Sequence, residues 1–186
     1  MPAGLIRKNL LITGLPGIGK TTLIKKLSEE LKHLRPVGFY TAEIREAGMR
    51  KGFELVSLEG GRGVLSHIDT KSSYRVGRYK VDIRGFEDFL ARIPFSDPST
   101  GLVIIDEIAK MECFSDQFKK LIKELLDSKK WMIATIALKG SGLIGDIKQR
   151  HDVKLFEITR SNRDCLLPEI LKEVKSKESH PLETVL

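Results

Sequence analysis

Apolar positions along the chain change period several times, and each change marks an element. Asn9-Leu10-Leu11-Ile12-Thr13 is a short apolar run of strand type. Over residues 20–34 the period becomes helical, with Leu23, Ile24, Leu27, Leu31 and Leu34 on one face, and Pro36 stops it. Residues 37–44 read as a second strand. Residues 45–82 carry many turn residues between short β-prone runs, at 52–58 and 63–65, and predict antiparallel hairpins. Phe86, Phe89, Leu90 and Ile93 then mark a short helix, ended by Pro94 and Pro98. Leu102-Val103-Ile104-Ile105 is continuously apolar, as a strand covered on both faces requires. An amphipathic helix over 114–126, a buried strand over 131–137 and a last strand over 153–159 follow. Between the last two, residues 140–150 read as a glycine-containing connection with one helical turn. Ser161-Asn162-Arg163-Asp164 has the spacing of a capping box, ahead of a helix carrying Leu167, Ile170, Leu171 and Val174.

Strands that alternate with helices imply an α/β fold with a mostly parallel, doubly wound sheet; the region 45–82 is an antiparallel hairpin insertion on it. A single domain over 1–175 and a mobile tail over 176–186 are expected. Ligands of such sheets bind at the carboxyl ends of the strands. The sequence collects its chemistry there.

Gly14-Leu15-Pro16-Gly17-Ile18-Gly19-Lys20-Thr21 spells G-x-x-x-x-G-K-T between a strand and a helix, followed by Thr22. This is the P-loop pattern. Its backbone N–H groups and the helix dipole form an anion site. Lys20 is expected at the β- and γ-phosphates and the Thr21 hydroxyl on Mg²⁺. Asp106 and Glu107 close the buried strand in the Walker B arrangement. Asp106 is the expected Mg²⁺ partner, and Glu107 the carboxylate that activates an attacking water. Positive charge for the transferring phosphoryl group needs a further cation. Arg163 and Arg160 follow the last strand, and Arg150 ends the glycine-containing connection. Arg163 is the candidate for either a nucleotide contact or a cis arginine finger. Lys110 and Glu112 face the site mouth or solvent.

Composition narrows the field. The 186 residues are 41% apolar and 31% charged, which suits a soluble globular protein. No run approaches the ~18 apolar residues of a membrane span, and the first residues lack a signal-peptide pattern, so a cytoplasmic location is expected by default. Cys113 and Cys165 are read as reduced thiols. The net charge of +7 is dispersed, so nucleic acid is not expected as a partner, and a monomer is favoured.

With these residues in place, the chain resembles the THEP1-type nucleoside-triphosphatases, small kinase-like P-loop proteins. The resemblance rests on the P-loop through Thr22, on Gly38-Phe39-Tyr40-Thr41-Ala42-Glu43-Ile44-Arg45 and Gly52-Phe53-Glu54-Leu55-Val56, on Asp106-Glu107-Ile108-Ala109-Lys110-Met111-Glu112, and on Ser161-Asn162-Arg163-Asp164. Asn162 and Arg163 are thereby candidate nucleotide contacts. Ala109 stands where the family usually has glycine, a change that matters only if the backbone needs positive φ. The resemblance implies Mg²⁺-dependent hydrolysis of ATP, GTP and other nucleoside triphosphates to diphosphate and phosphate. A nucleotide or small-molecule kinase with an unknown acceptor is the alternative. A nucleotide-driven switch or motor comes third, because no dedicated DNA loop is evident.

Overall fold

The computed structural model describes residues 7–178. Its element order is β1 (Asn9–Thr13), α1 (Lys20–Glu30), β2 (Pro36–Glu46), β3 (Met49–Ser57), β4 (Arg62–His67), β5 (Arg75–Val76), β6 (Tyr79–Val81), α2 (Ile83–Leu90), β7 (Leu102–Ile108), α3 (Asp116–Asp127), β8 (Trp131–Ile136), α4 (Leu143–Lys148), β9 (Val153–Glu157) and α5 (Leu166–Glu178). All nine strands join one sheet in the order β5-β6-β4-β3-β2-β7-β8-β1-β9. The five from β2 to β9 pair in parallel. From β2 outward the pairing is antiparallel, so the hairpin insertion extends the same sheet.

Side chains of the central strands alternate between two cores, as the two-residue period of a strand dictates. Leu11, Val103, Ile105, Met132 and Ala134 face α2, α3 and α4. Leu10, Ile12, Leu102, Ile104 and Ile133 face α1 and α5. Continuous apolar runs were needed because both faces are covered. Phe39 of β2 links the parallel half to α2, packing edge-on against Phe86 and Phe89 with ring centroids 6.1 and 5.8 Å apart.

Several local expectations shift, each for a physical reason. The helix expected over 20–34 is regular only to Glu30, and Lys32–Leu34 tighten into a 3-10 turn. The connection at 140–150 contains a full helix, α4, whose Ile144 and Ile147 are buried. The capping box does not start a helix at Ser161. Asn162 takes the loop instead: its Oδ1 accepts from Thr159 N–H at 2.8 Å and its Nδ2 donates to the Glu157 carbonyl at 2.8 Å. Helix α5 begins only at Leu166 and runs through 176–178, where a tail was expected; residues 179–186 lie outside the described residues. The β2–β3 turn is made by Ala47 and Gly48, both at positive φ (47° and 77°), the handedness that two-residue hairpin loops demand.

Phe39 is fully buried. Phe39→Ala should lower the free energy of unfolding by about 4 kcal/mol, read by urea denaturation. A loss below about 1 kcal/mol would mean that the hairpin half does not depend on this ring.

Candidate active site

Strand β1 ends at the sheet's carboxyl edge and runs straight into the glycine loop. Gly14 passes so close to Ile158 that a Cβ there would lie 2.6 Å from its carbonyl oxygen. Gly19, at φ 112°, occupies the N-cap of α1 in a left-handed conformation. It offers no side chain to cap the helix, so the first-turn N–H groups are left to the cavity.

Strand β7 delivers Asp106 and Glu107 to the same edge. Asp106 is 2% exposed, and each carboxylate oxygen has a hydroxyl donor. Thr21 Oγ1 donates to Oδ2 at 2.6 Å, and Thr135 Oγ1 donates to Oδ1 at 2.6 Å. The Thr41 backbone N–H adds a third bond. Burial pushes the Asp106 pKa up, and these bonds together with Lys20 oppose the shift. Lys20 Nζ donates to the carbonyls of Gly14 and Leu15 at 3.1 and 3.4 Å and lies 3.6 Å from Glu107 Oε1. Burial also raises the Glu107 pKa, with Lys20 opposing and Asp106 adding to the rise. A raised carboxylate pKa makes a stronger base.

The loop beyond Glu107 is held by a carboxyl that the sequence left undecided. Glu112 is buried, not at the mouth or in solvent. It accepts the N–H groups of Ala109 and of its own residue, while its Oε2 has no hydrogen-bond partner among the described residues. Burial, with Glu107 and Asp106 nearby, pushes its pKa up to about 8. Ala109 is not among the non-glycine residues at positive φ, so its replacement of glycine brings no strain of that kind.

These parts face a cavity of about 840 Å³. One wall is the P-loop through Thr22, without Ile18, and the floor is Asp106 and Glu107. The sequence reading did not place Thr41, Ala42, Glu43, Arg50 and Phe53 of the β2–β3 hairpin, or Lys139, at the cavity; Lys110, expected at the mouth or in solvent, lines it. Thr135 was also missed. A polar residue inside a buried apolar strand needs a partner, and that rule was the one available signal for it.

The candidate arginines separate. Arg163 lines a smaller concavity of about 310 Å³ with Ile18, Leu23 and Leu167, which shares Gly19 and Thr22 with the main cavity. Arg150 lies before β9, at the amino edge of the sheet. It pairs with Asp152 and Asp127 at 2.8 and 2.7 Å, and Asp152 also binds Asn9 at the start of β1. That location removes Arg150 as a finger.

An oxygen donor set of one carboxylate and one hydroxyl suits Mg²⁺, which commonly takes only one or two protein ligands and completes its shell with phosphate and water. No cluster of three or more His, Cys, Asp or Glu side chains that could hold a metal occurs among the described residues. No helix among them is long and apolar enough to cross a membrane.

A glycine loop opening α1, a strand-end aspartate beside it and a mixed sheet with a parallel core, half of whose pairings are antiparallel rather than the mostly parallel sheet expected, define the P-loop NTPase class of α/β fold. A family model described as NTPase matches residues 9–171, and the chain belongs to that family. It is 44% identical over 167 residues to a protein from Thermotoga sp. (strain RQ2) named nucleoside-triphosphatase THEP1, covering 89% of this chain and 95% of the relative. The crystal structure of THEP1 from the hyperthermophile Aquifex aeolicus superposes with a TM-score of 0.78 at 36% identity, covering 88% of this chain and 97% of that one. The solution structure of a human cancer-related nucleoside triphosphatase gives a TM-score of 0.76 at 40% identity, covering 90% and 97%.

Glu112 sets a pH signature. A carboxyl with a raised folded-state pKa contributes stability that is complete below its ordinary value of 4.5 and is lost as the pH rises through about 8. Glu112→Gln removes that titration. The stability of the variant relative to wild type should therefore climb from pH 5 to about 8 and level off above it in urea unfolding. A pH-independent difference would contradict the buried neutral carboxyl.

Proposed function

We propose that this chain is a Mg²⁺-dependent nucleoside-triphosphatase, releasing diphosphate and phosphate from ATP, GTP and other triphosphates. The observation that carries the reading is the meeting of the Thr21 hydroxyl and the Asp106 carboxylate at 2.6 Å, beside a Lys20–Glu107 pair at 3.6 Å. Thr21 and Asp106 are the residues that would hold the metal, whose chemistry there is to neutralise charge on the phosphates. The P-loop backbone from Gly14 to Gly19, with Thr22, cradles the phosphates. Lys20, now folded back on the loop carbonyls, turns to the β- and γ-phosphates. Glu107 takes a proton from the attacking water. Burial raises its affinity for that proton, and Lys20 opposes the rise by favouring the carboxylate.

Gly19 and Thr22 belong to both concavities, so a nucleotide whose phosphates fill the first extends its base into the second. Arg163 meets the base or ribose there by its planar guanidinium. It is a binding residue rather than a finger. Asn162 has both ends of its amide bonded within the loop and acts by holding Arg163 in position.

Steady-state phosphate release from a panel of triphosphates, with four variants, tests the assignment. Lys20→Ala should lower kcat/KM by about 10²–10³-fold, the scale of one lost transition-state donor. Glu107→Gln should lower kcat by about 10²-fold or more with KM nearly unchanged. Arg163→Ala should raise KM and spare kcat. Arg150→Ala should keep wild-type kinetic constants. Near-normal turnover in Lys20→Ala would sink the phosphate site, and a kcat loss confined to Arg163→Ala would make that arginine the finger.

A further inference from the structure

Phosphoryl transfer to water needs its charge offset as the bond to the leaving oxygen breaks, and a fixed cation beyond the P-loop lysine is the usual complement. The arginines on either side of β9 do not supply it. Arg150 is paired at the amino edge, and Arg163 lies in the second concavity. Of the other cations that line the main cavity, Arg50 is bonded to Glu43 and Tyr79. Lys110 and Lys139 are exposed and have no ion pair among the described residues.

Strand order separates these two lysines. Strand β8 lies between β7, which carries Asp106 and Glu107, and β1, which feeds the glycine loop. The segment leaving β8 therefore emerges at the carboxyl edge between the P-loop and Glu107, where a γ-phosphate and its attacking water would meet. Lys139 is on that segment, just past Ile136. Lys110 sits instead in the turn that feeds the 3-10 turn Glu112–Phe114 and α3.

The backbone around Lys139 is held on both sides. The Ala137 N–H donates at 3.1 Å to the carbonyl of Ile108, the residue after Glu107. Lys148 Nζ, from the end of α4, donates to the carbonyls of Ala137 and Leu138 at 2.6 and 2.8 Å. Gly140 lies so close to Ile144 that a Cβ there would meet its side chain at 2.8 Å. This clamp fixes where the Lys139 side chain starts, while its flexible four-carbon stem is left free to reach a phosphate. Leu15 and Leu138, 63% and 36% exposed, line the same cavity. A triphosphate that covers them removes water from around the ammonium, and a charge interaction there gains strength.

We propose that Lys139 is the transition-state cation of the triphosphatase, reaching the γ-phosphoryl oxygens from the loop after β8, with Lys148 as the positioning residue of that loop. This rests on the reading that a triphosphate occupies the P-loop. The water oxygen forms the new bond to the γ-phosphorus, its proton passes to Glu107, and the β,γ-bridging oxygen leaves with the electron pair on the diphosphate. Lys139 transfers nothing. Its charge offsets the charge on the γ-oxygens as the leaving bond breaks. The finger of this chain is then a lysine supplied in cis, and neither arginine.

Steady-state phosphate release and calorimetry on the full chain test the assignment. Lys139→Gln should lower kcat for Mg²⁺-ATP by about 10²-fold, the scale of one lost transition-state donor, with KM nearly unchanged. Its affinity for Mg²⁺-ADP should match wild type. The gain in affinity on adding aluminium fluoride, which mimics the transferring phosphoryl group, should shrink by about tenfold or more. Lys139→Arg should keep more turnover than Lys139→Gln, because the charge stays. Lys148→Met should lower kcat as well, and the double variant should be no slower than Lys139→Gln, since Lys148 acts through Lys139. Wild-type kcat in Lys139→Gln would overturn the proposal. So would a raised KM in place of a lowered kcat, an undiminished gain from aluminium fluoride, equal losses in Lys139→Arg and Lys139→Gln, or losses that multiply in the double variant. Failure of the wild type to bind Mg²⁺-ADP defeats the triphosphate reading itself, while intact Mg²⁺-ADP binding with an unaffected Lys139→Gln defeats only the lysine finger.

Discussion

The site depends on keeping one buried carboxylate at the edge of the sheet. Asp106 is almost wholly inside the protein, where an unpaired carboxylate would take up a proton and lose its value as a metal ligand. Three elements supply donors that oppose this: Thr21 from α1, Thr135 from β8 and the Thr41 N–H from β2. Each donor lies on a different strand or helix around β7. The registry of the central sheet and the electrostatics of the site are therefore one constraint.

That constraint also explains the two-sided cavity. The Thr41 N–H that favours the Asp106 carboxylate sets the start of the β2–β3 hairpin beside the P-loop edge. The hairpin then carries Glu43, Arg50 and Phe53 up one wall while the glycine loop forms the other. The antiparallel strands form the far wall of the site and are continuous with the sheet that carries its floor. Glu112 is buried in the segment that follows Glu107, where the N–H groups of Ala109 and of its own residue favour its carboxylate against burial.

Contiguous chemistry was legible in the sequence and proximity in space was not. The P-loop and the pair Asp106-Glu107 are read directly, because the spacing of a strand, a glycine turn and a helix start is local. The alternation of strands and helices gives the sheet for the same reason. Thr135, Arg50 and Phe53 reach the cavity only through strand pairing, β7 with β8 and β2 with β3, which no short window of sequence encodes. Arg150 looked like a lid residue by its distance from Gly140. Helix α4 uses up that distance, and Asp127 and Asp152 draw the guanidinium to the opposite edge. The pattern at Ser161 failed because the Asn162 side chain competes for the loop's backbone groups, as asparagine does near helix starts.

If Asp106 is the ionised anchor of the metal, Mg²⁺ and nucleotide must bind as a unit through it. Calorimetry of a non-hydrolysable ATP analogue, with and without Mg²⁺, on wild type and Asp106→Asn measures this. Mg²⁺ should tighten binding to the wild type by about tenfold or more, an ordinary coupling energy between two ligands. In Asp106→Asn the gain should vanish while the metal-free affinity persists. An equal gain from Mg²⁺ in both proteins would contradict the role of Asp106.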